Sequence, residues 1–122
     1  MMKTKILVIE DNEDNRRIVR DLLTSAGYEV IEAVTGQEGV TAAETQGPEL
    51  ILMDIQLPDF DGYEATRRIK ANPTLSAIPI IAVTSYALSG DDVKAFEAGC
   101  NAYVTKPFSP RELLAKIREY LQ

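Results

Sequence analysis

The sequence predicts an α/β domain with a doubly wound parallel sheet of five strands in the order 2-1-3-4-5. Five short apolar runs alternate along the chain with five amphipathic stretches, and the connections between them are short. Most of the apolar runs are continuous, which is typical of parallel strands that helices cover on both faces. With this strand order, right-handed crossover connections would place helices on both faces of the sheet. In such a sheet, ligands bind at the carboxyl ends of the strands, where the strand order reverses.

The strands are predicted from apolar runs, and the second run alternates with polar residues, as in a half-covered edge strand. The expected strands are Lys5–Glu10, Tyr28–Ala33, Glu49–Asp54, Ile78–Thr84 and Ala102–Lys106. The helices are predicted from one-sided apolar stripes and from residues that start or stop a helix. The expected helices are Asn15–Gly27, Gly36–Gln46, Tyr63–Ala71, Gly90–Gly99 and Ser109–Leu121. Gly27, Gly47–Pro48 and Asn72–Pro73 supply stop signals. Ser109 and Glu112 have the spacing of a capping box at the start of the last helix.

Composition limits the classes of function that the chain can have. With 122 residues, it is expected to form one domain over residues 1–122, with no attached output domain. A formal net charge of -6 argues against nonspecific binding to nucleic acid or to an anionic membrane surface. Cys100 is the only cysteine, so no internal disulfide can form, which fits a cytoplasmic protein. The chain contains no histidine and therefore cannot carry a phosphohistidine of its own.

Polar residues stand at the carboxyl ends of four predicted strands that would lie side by side. Strand one ends in Glu10 and Asp11, strand three in Asp54, strand four in Thr84 and strand five in Lys106. Strand two, the outer strand, contributes no comparable group. Because parallel strands end at the same edge of a sheet, we expect these side chains to converge there.

The gathered residue types indicate a phosphoryl-accepting site. Three carboxylates in a partly buried cleft repel one another and need a cation, and their hard oxygen ligands suit Mg²⁺. Lys106 adds a mobile positive charge, and Thr84 adds a hydroxyl donor. Phosphoryl transfer needs mostly positioning and charge neutralisation, and an aspartate can serve as the covalent acceptor.

Four motifs in order along the chain resemble the receiver domain of two-component response regulators. They are VIEDN (Val8–Asn12), LMDIQLPDFDG (Leu52–Gly62), VTS (Val83–Ser85) and YVTKPF (Tyr103–Phe108). The resemblance extends over essentially the whole chain and is strongest to stand-alone regulators of the chemotaxis and cell-cycle type. It implies the flavodoxin-like form of the predicted fold. It also implies a phosphoacceptor signalling protein, not an enzyme, which assists its own phosphorylation and dephosphorylation.

The resemblance assigns a role to each residue of the predicted site. Asp54 would be the phosphoacceptor and, with Asp11, a direct ligand of Mg²⁺. The backbone carbonyl of Gln56 would be a further ligand, and Glu10 would act nearby, through water. Lys106 would bind a phosphoryl oxygen.

Further roles concern the response to phosphorylation. Thr84 would hydrogen-bond the phosphoryl group, and Tyr103 would occupy the aromatic switch position. Gln56 and Tyr86 would flank the phosphoryl group and tune its hydrolysis. The Lys106–Pro107 peptide bond is expected to be cis.

The implied partners are proteins. A sensor histidine kinase or a histidine phosphotransfer protein would donate the phosphoryl group, and a downstream protein target would read the result. No nucleic acid or membrane is expected as a partner. The readout surface would combine the fourth helix, the fifth strand and the fifth helix. Its candidate contacts near Tyr103 are Val93, Phe96, Lys116 and Tyr120.

Other interpretations remain open from the residues alone. Glu10 and Asp11 could simply start a helix, and Asp54 could be a turn residue. Gly62 is expected to let the backbone turn before the third helix. A metal-dependent phosphatase with an aspartyl-phosphate intermediate is the main alternative function, although Gln56 stands where such enzymes commonly carry a second aspartate. A flavodoxin-like cofactor module is a third, although the acidic loop after strand one would repel a cofactor phosphate.

Overall fold

The computed structural model describes residues 3–84 and 91–121, with the backbone alone for Asp91 and Asp92. Its sheet is parallel, with the strand order β2-β1-β3-β4-β5, which confirms the predicted fold. The strands are β1 (Lys5–Ile9), β2 (Glu29–Ala33), β3 (Leu50–Asp54), β4 (Ile80–Thr84) and β5 (Ala102–Thr105). The helices are α1 (Glu13–Ser25), α2 (Gly36–Gln46), α3 (Gly62–Ala71), α4 (Asp91–Ala98) and α5 (Pro110–Leu121).

Helices cover both faces of the sheet. Residues of α2, α3 and α4 form one core with alternate residues of the strands, among them Ile9 and Met53. Residues of α1 and α5 form a second core with the remaining strand residues, among them Val8 and Leu52. The central strands are therefore buried on both sides, which explains their continuous apolar sequences.

Two element boundaries differ from the prediction at the edge of the sheet that carries the polar residues. The strands β1 and β5 end at Ile9 and Thr105, so Glu10, Asp11 and Lys106 lie in the loops that follow. The first amide of each loop still donates to a neighbouring strand, Glu10 to the Ala33 carbonyl and Lys106 to the Thr84 carbonyl. Asp54 is the last residue of β3, as predicted. The polar residues nevertheless stay at one edge of the sheet, because they directly follow paired strands.

Local hydrogen bonds explain two other differences. Helix α1 begins at Glu13, earlier than predicted, because the Asn12 side chain accepts a hydrogen bond from the amide of Asn15 and caps the helix. Strand β4 begins only at Ile80, because the Ile78 amide donates to the Leu75 carbonyl in the preceding turn.

Three remaining expectations concern the start of the fourth helix, the Lys106–Pro107 peptide bond and membrane-spanning helices. Gly90, the predicted start of the fourth helix, lies outside the described residues. The Lys106–Pro107 peptide bond is cis, as expected. In the two described ranges, no helix is long and apolar enough to cross a lipid bilayer.

Candidate functional site

Three carboxylates meet at the edge where β1 and β3 end. Ile9 pairs with Met53 in the sheet, so the next residues, Glu10 and Asp54, follow at equivalent positions. Glu10, Asp11 and Asp54 each offer one oxygen atom, and these atoms lie within 4.8 Å of one another. Glu10 and Asp54 are buried, with 5% and 6% of their surfaces exposed, whereas Asp11 is exposed. The structure thus brings together the acidic residues that the sequence predicts.

Lys106 supplies the opposite charge. Its Nζ atom donates to Glu10 Oε1 at 2.6 Å and lies 3.7 Å from Asp54 Oδ2. The backbone of Lys106 is fixed as well, because its amide donates to the Thr84 carbonyl at 2.7 Å. One lysine therefore neutralises part of the charge of two buried carboxylates.

The two buried carboxylates have opposite pKa shifts. Desolvation raises the pKa of Asp54 to about 7, and a hydrogen bond with Glu10 and the negative charge of Glu10 add to the rise. Lys106 opposes this rise without cancelling it. For Glu10, burial alone would raise the pKa, but Asp54, Lys106 and the Asn12 amide together hold it below its usual value. In the absence of a metal ion, the site thus favours an ionised Glu10 beside an Asp54 that holds its proton up to neutral pH.

Backbone contacts fix the loop that follows Asp54. The Gln56 amide donates to Asp54 Oδ1 at 3.2 Å, and Gln56 itself is exposed. The Gly62 amide donates to the Ile55 carbonyl at 2.8 Å. A Cβ atom at Gly62 would lie 2.8 Å from Ile55 Cα and would overlap the Asp54 carbonyl oxygen. Gly62 is the first residue of α3 and its φ is not positive, so glycine is needed here for this close approach and not for a left-handed backbone conformation.

The predicted site residues fall into two groups, those that line a small cleft and those that do not. A small cleft of about 230 Å³ is lined by Glu10, Asp11, Asp54, Gln56 and Lys106, and also by Asn12 and Asn15.

Thr84 and Tyr103 do not line this cleft. Thr84 is buried at the end of β4, next to Thr105 in the sheet. Tyr103 is half-buried on β5 and packs against the core that α2, α3 and α4 cover. Tyr86 lies outside the described residues.

Sequence reasoning missed Arg16, which contacts the acidic loop, and Glu32, which contacts Arg16. Arg16 donates from Nη1 to the Glu10 carbonyl at 3.0 Å, and its Nε donates to Glu32 Oε1 of β2 at 3.0 Å. Strand two therefore does contribute to the site, through an arginine. The signal in the sequence was a pair of arginines, Arg16 and Arg20, one turn apart on α1, both of which contact Glu32.

The cleft has the donor set of a hard divalent cation. Its three candidate ligands are carboxylate oxygens, one of them exposed, so the cleft is open to water on the side of Asp11. Mg²⁺ is held in proteins by a few carboxylates and keeps several of its waters, and this arrangement fits such an ion. The single positive charge of Lys106 does not balance the carboxylates of the cluster. The net charge that remains is negative, and a bound cation would offset it.

Comparison with known proteins identifies the family. Residues 6–118 match the family model of the response regulator receiver domain, so the chain belongs to that family. It is 42% identical over 120 residues to the polar-differentiation response regulator DivK of Brucella ovis, with 98% of both sequences covered. The expected resemblance to stand-alone cell-cycle regulators is thereby confirmed.

Solved structures agree with this assignment. The receiver domain of the sensor histidine kinase PA1611 from Pseudomonas aeruginosa, which holds a magnesium ion in its active-site cleft, superposes with a TM-score of 0.92 at 40% identity, covering 98% of both chains. A response regulator from Chloroflexus aurantiacus gives a TM-score of 0.94 at 30% identity, again with 98% of both chains covered. None of these relatives supports the phosphatase alternative.

Proposed function

We propose that this receiver domain takes a phosphoryl group onto Asp54 from a phosphohistidine of a sensor histidine kinase or a histidine phosphotransfer protein. The observation that carries the proposal is the cluster at the edge of the sheet. A buried aspartate lies within 4.8 Å of two further carboxylates and 3.7 Å from a lysine ammonium group. The given sequence cannot supply the phosphohistidine, because it contains no histidine.

The reaction needs the ionised form of Asp54. An Asp54 carboxylate oxygen attacks the phosphorus atom, and the bond from phosphorus to the donor nitrogen breaks. The electron pair of that bond stays on the imidazole nitrogen, and Asp54 becomes an acyl phosphate. Mg²⁺, when bound, would lower the proton affinity of Asp54 and offset the charge of the transferred group. Asp11 and Asp54 would hold this ion directly, with the Gln56 carbonyl, and Glu10 would contact it through water.

Lys106 and Thr84 would receive the phosphoryl group. In the unphosphorylated protein the Lys106 ammonium group contacts Glu10 and Asp54, so it already lies beside the carboxylate that would be phosphorylated. A phosphoryl oxygen would replace the Asp54 charge as one of its partners. The Thr84 hydroxyl would donate a hydrogen bond to the same group, and Gln56 would influence how long the acyl phosphate lasts.

The output would be a change of contacts with a downstream protein target. The added phosphoryl charge would bias an existing equilibrium between two conformations, with Tyr103 as the aromatic residue that changes position. The readout surface would consist of α4, β5 and α5. On α4, Val93 and Phe96 are large apolar residues with 53% and 52% of their surfaces exposed, which favours a protein partner there. We place this signalling in the cytoplasm and expect no role for nucleic acid.

Intact-mass analysis tests the proposal. The protein is incubated with a small acyl phosphate, with Mg²⁺ or with a chelator. We expect one phosphoryl adduct with Mg²⁺, little or none with the chelator, and none in Asp54→Asn. Asp59→Asn is the matched control, because it makes the same chemical change five residues further along the chain, in the loop that follows β3, and it should keep the adduct. An adduct on Asp54→Asn, or none on the wild type with Mg²⁺, would overturn the proposal.

A further inference from the structure

We propose that Arg16, held by Glu32, is a positioning residue that fixes the acidic loop for Mg²⁺ and so sets the affinity of the site for this ion. The inference rests on the proposed function, in which Asp11 and Glu10 serve the metal site. It adds a residue of α1 and a residue of the outer strand β2, neither of which belongs to the acidic cluster. Arg16 would act through the backbone of the loop and would not contact the ion.

Arg16 links the loop to the sheet through two ends of its guanidinium group. Nη1 donates to the Glu10 carbonyl at 3.0 Å and makes a longer contact with the Asp11 carbonyl at 3.5 Å. Nε donates to Glu32 Oε1 at 3.0 Å. The carbonyl oxygens belong to the two residues whose carboxylates face the cleft, so the contact fixes the backbone directly beneath both.

Glu32 holds the arginine in this orientation. Both of its oxygens also accept hydrogen bonds from Arg20, each at 3.3 Å, so the carboxylate itself is fixed by a second residue of α1. The Arg16 side chain is only 17% exposed, which leaves it little freedom to take another position. The planar guanidinium group of arginine can bind Glu32 and the Glu10 carbonyl at the same time, through two different nitrogen atoms. The single ammonium nitrogen of a lysine suits this role less well, because it cannot keep two such separated contacts at once.

Because Arg16 is positively charged, the direction in which Mg²⁺ affinity changes on its substitution distinguishes a positioning role from a simple charge effect. A positive charge near a cation site weakens cation binding, so removal of a charge alone would increase the affinity for Mg²⁺. Loss of positioning would decrease it, since contacts that orient metal ligands commonly change affinity by about tenfold or more. The two explanations therefore predict opposite results for the same substitution.

Arg17 provides the matched control. It is the next residue on α1, carries the same charge, and pairs at 3.4 Å with Asp14 of its own helix. Its side chain is 57% exposed. Arg17→Gln thus removes a charge at a similar place in the sequence without removing the contact with the acidic loop.

The experiment measures Mg²⁺ affinity by calorimetric titration of the wild type, Arg16→Gln, Arg16→Lys and Arg17→Gln. We expect Arg16→Gln to lower the affinity about tenfold, Arg16→Lys to lower it less, and Arg17→Gln to leave it unchanged or raise it. Phosphorylation by an acyl phosphate should need more Mg²⁺ for half-saturation in Arg16→Gln but should reach a similar rate at saturation. In the metal-free variant, exchange of the Asn12 amide hydrogen, which donates to Glu10 Oε2 at 3.1 Å, should become faster.

Each outcome separates the inference from the proposed function. Equal or higher affinity in Arg16→Gln, beside a wild type that binds Mg²⁺, would overturn the inference and leave the proposed function intact. A wild type that binds no Mg²⁺ would overturn the proposed function, and the inference with it. Urea unfolding of each variant shows whether it is folded. If Arg16→Gln is not folded, Arg16→Lys decides the matter, and an affinity equal to that of the wild type would overturn the inference.

Discussion

The buried, crowded charge of Asp54 should make the metal-free protein less stable as the pH rises. The folded protein has an Asp54 pKa of about 7, against an ordinary value of 3.8. Between these values the folded protein keeps a proton that the unfolded chain has released, so the free energy of unfolding falls with increasing pH. A difference of about three pKa units corresponds to about 4 kcal/mol. Asp54→Asn removes the ionisable group, so we expect it to be more stable than the wild type by up to about 4 kcal/mol above neutral pH.

The assay is urea unfolding followed by circular dichroism, in the presence of a chelator, over a series of pH values. The advantage of Asp54→Asn should shrink as the pH falls towards the ordinary aspartate pKa of 3.8 and should vanish below it, where Asp54 is protonated in both the folded and the unfolded wild type. Saturating Mg²⁺ should reduce the advantage, because the ion binds the folded wild type.

Asp59→Asn is the control and should have the opposite sign. Desolvation raises the pKa of Asp59, but the amides of Gln37 and Gly36 together bring it below its usual value. Its charge therefore stabilises the folded state at neutral pH, and this contribution is lost on acidification. A wild type as stable as Asp54→Asn at alkaline pH, or a difference that is the same at every pH, would refute the reasoning.

Three further predictions concern the site and its loops. Mg²⁺ binding should weaken as the pH falls below about 7, since protons compete with the ion for Asp54. Calorimetric titrations at alkaline and mildly acidic pH test this, and equal affinities would contradict it. Gly62→Ala should destabilise the fold by about 1–3 kcal/mol, because its Cβ would meet the backbone of Asp54 and Ile55; an unchanged urea midpoint would show that the loop can yield. Asn12→Ala should cost about 1 kcal/mol through loss of the α1 cap, as measured by urea unfolding, and no loss would mean that water replaces the cap.

The sequence was sufficient for the fold and for most of the acidic site. Continuous apolar strands and short connections determine the layers, and the polar residues after the strands determine where a ligand can bind. Glu10, Asp54 and Lys106 could be predicted as neighbours because the ends of parallel strands coincide in space. Their position depends on topology, and the topology follows from a pattern that extends over the whole chain.

Contacts that depend on side-chain direction could not be predicted in this way. Arg16 contacts the acidic loop because α1 is oriented with this residue toward β2. The pattern of apolar and polar residues along α1 does not specify that orientation. The requirement for glycine at Gly62 comes from the approach of α3 to the end of β3, whereas the sequence suggested a turn. The two pKa shifts likewise depend on the distance of Lys106 from each carboxylate, which favours the ionised form of Glu10 over that of Asp54.

The most direct test of the account is to locate the phosphoryl group chemically. The protein is phosphorylated with an acyl phosphate and Mg²⁺ and then treated with borohydride, which reduces an aspartyl phosphate to homoserine. Tandem mass spectrometry of the peptides reads the converted position. We predict conversion at Asp54 alone, and none when Mg²⁺ is chelated. Conversion at Asp11, Asp59 or any other carboxylate, or no conversion in the folded protein, would contradict the account.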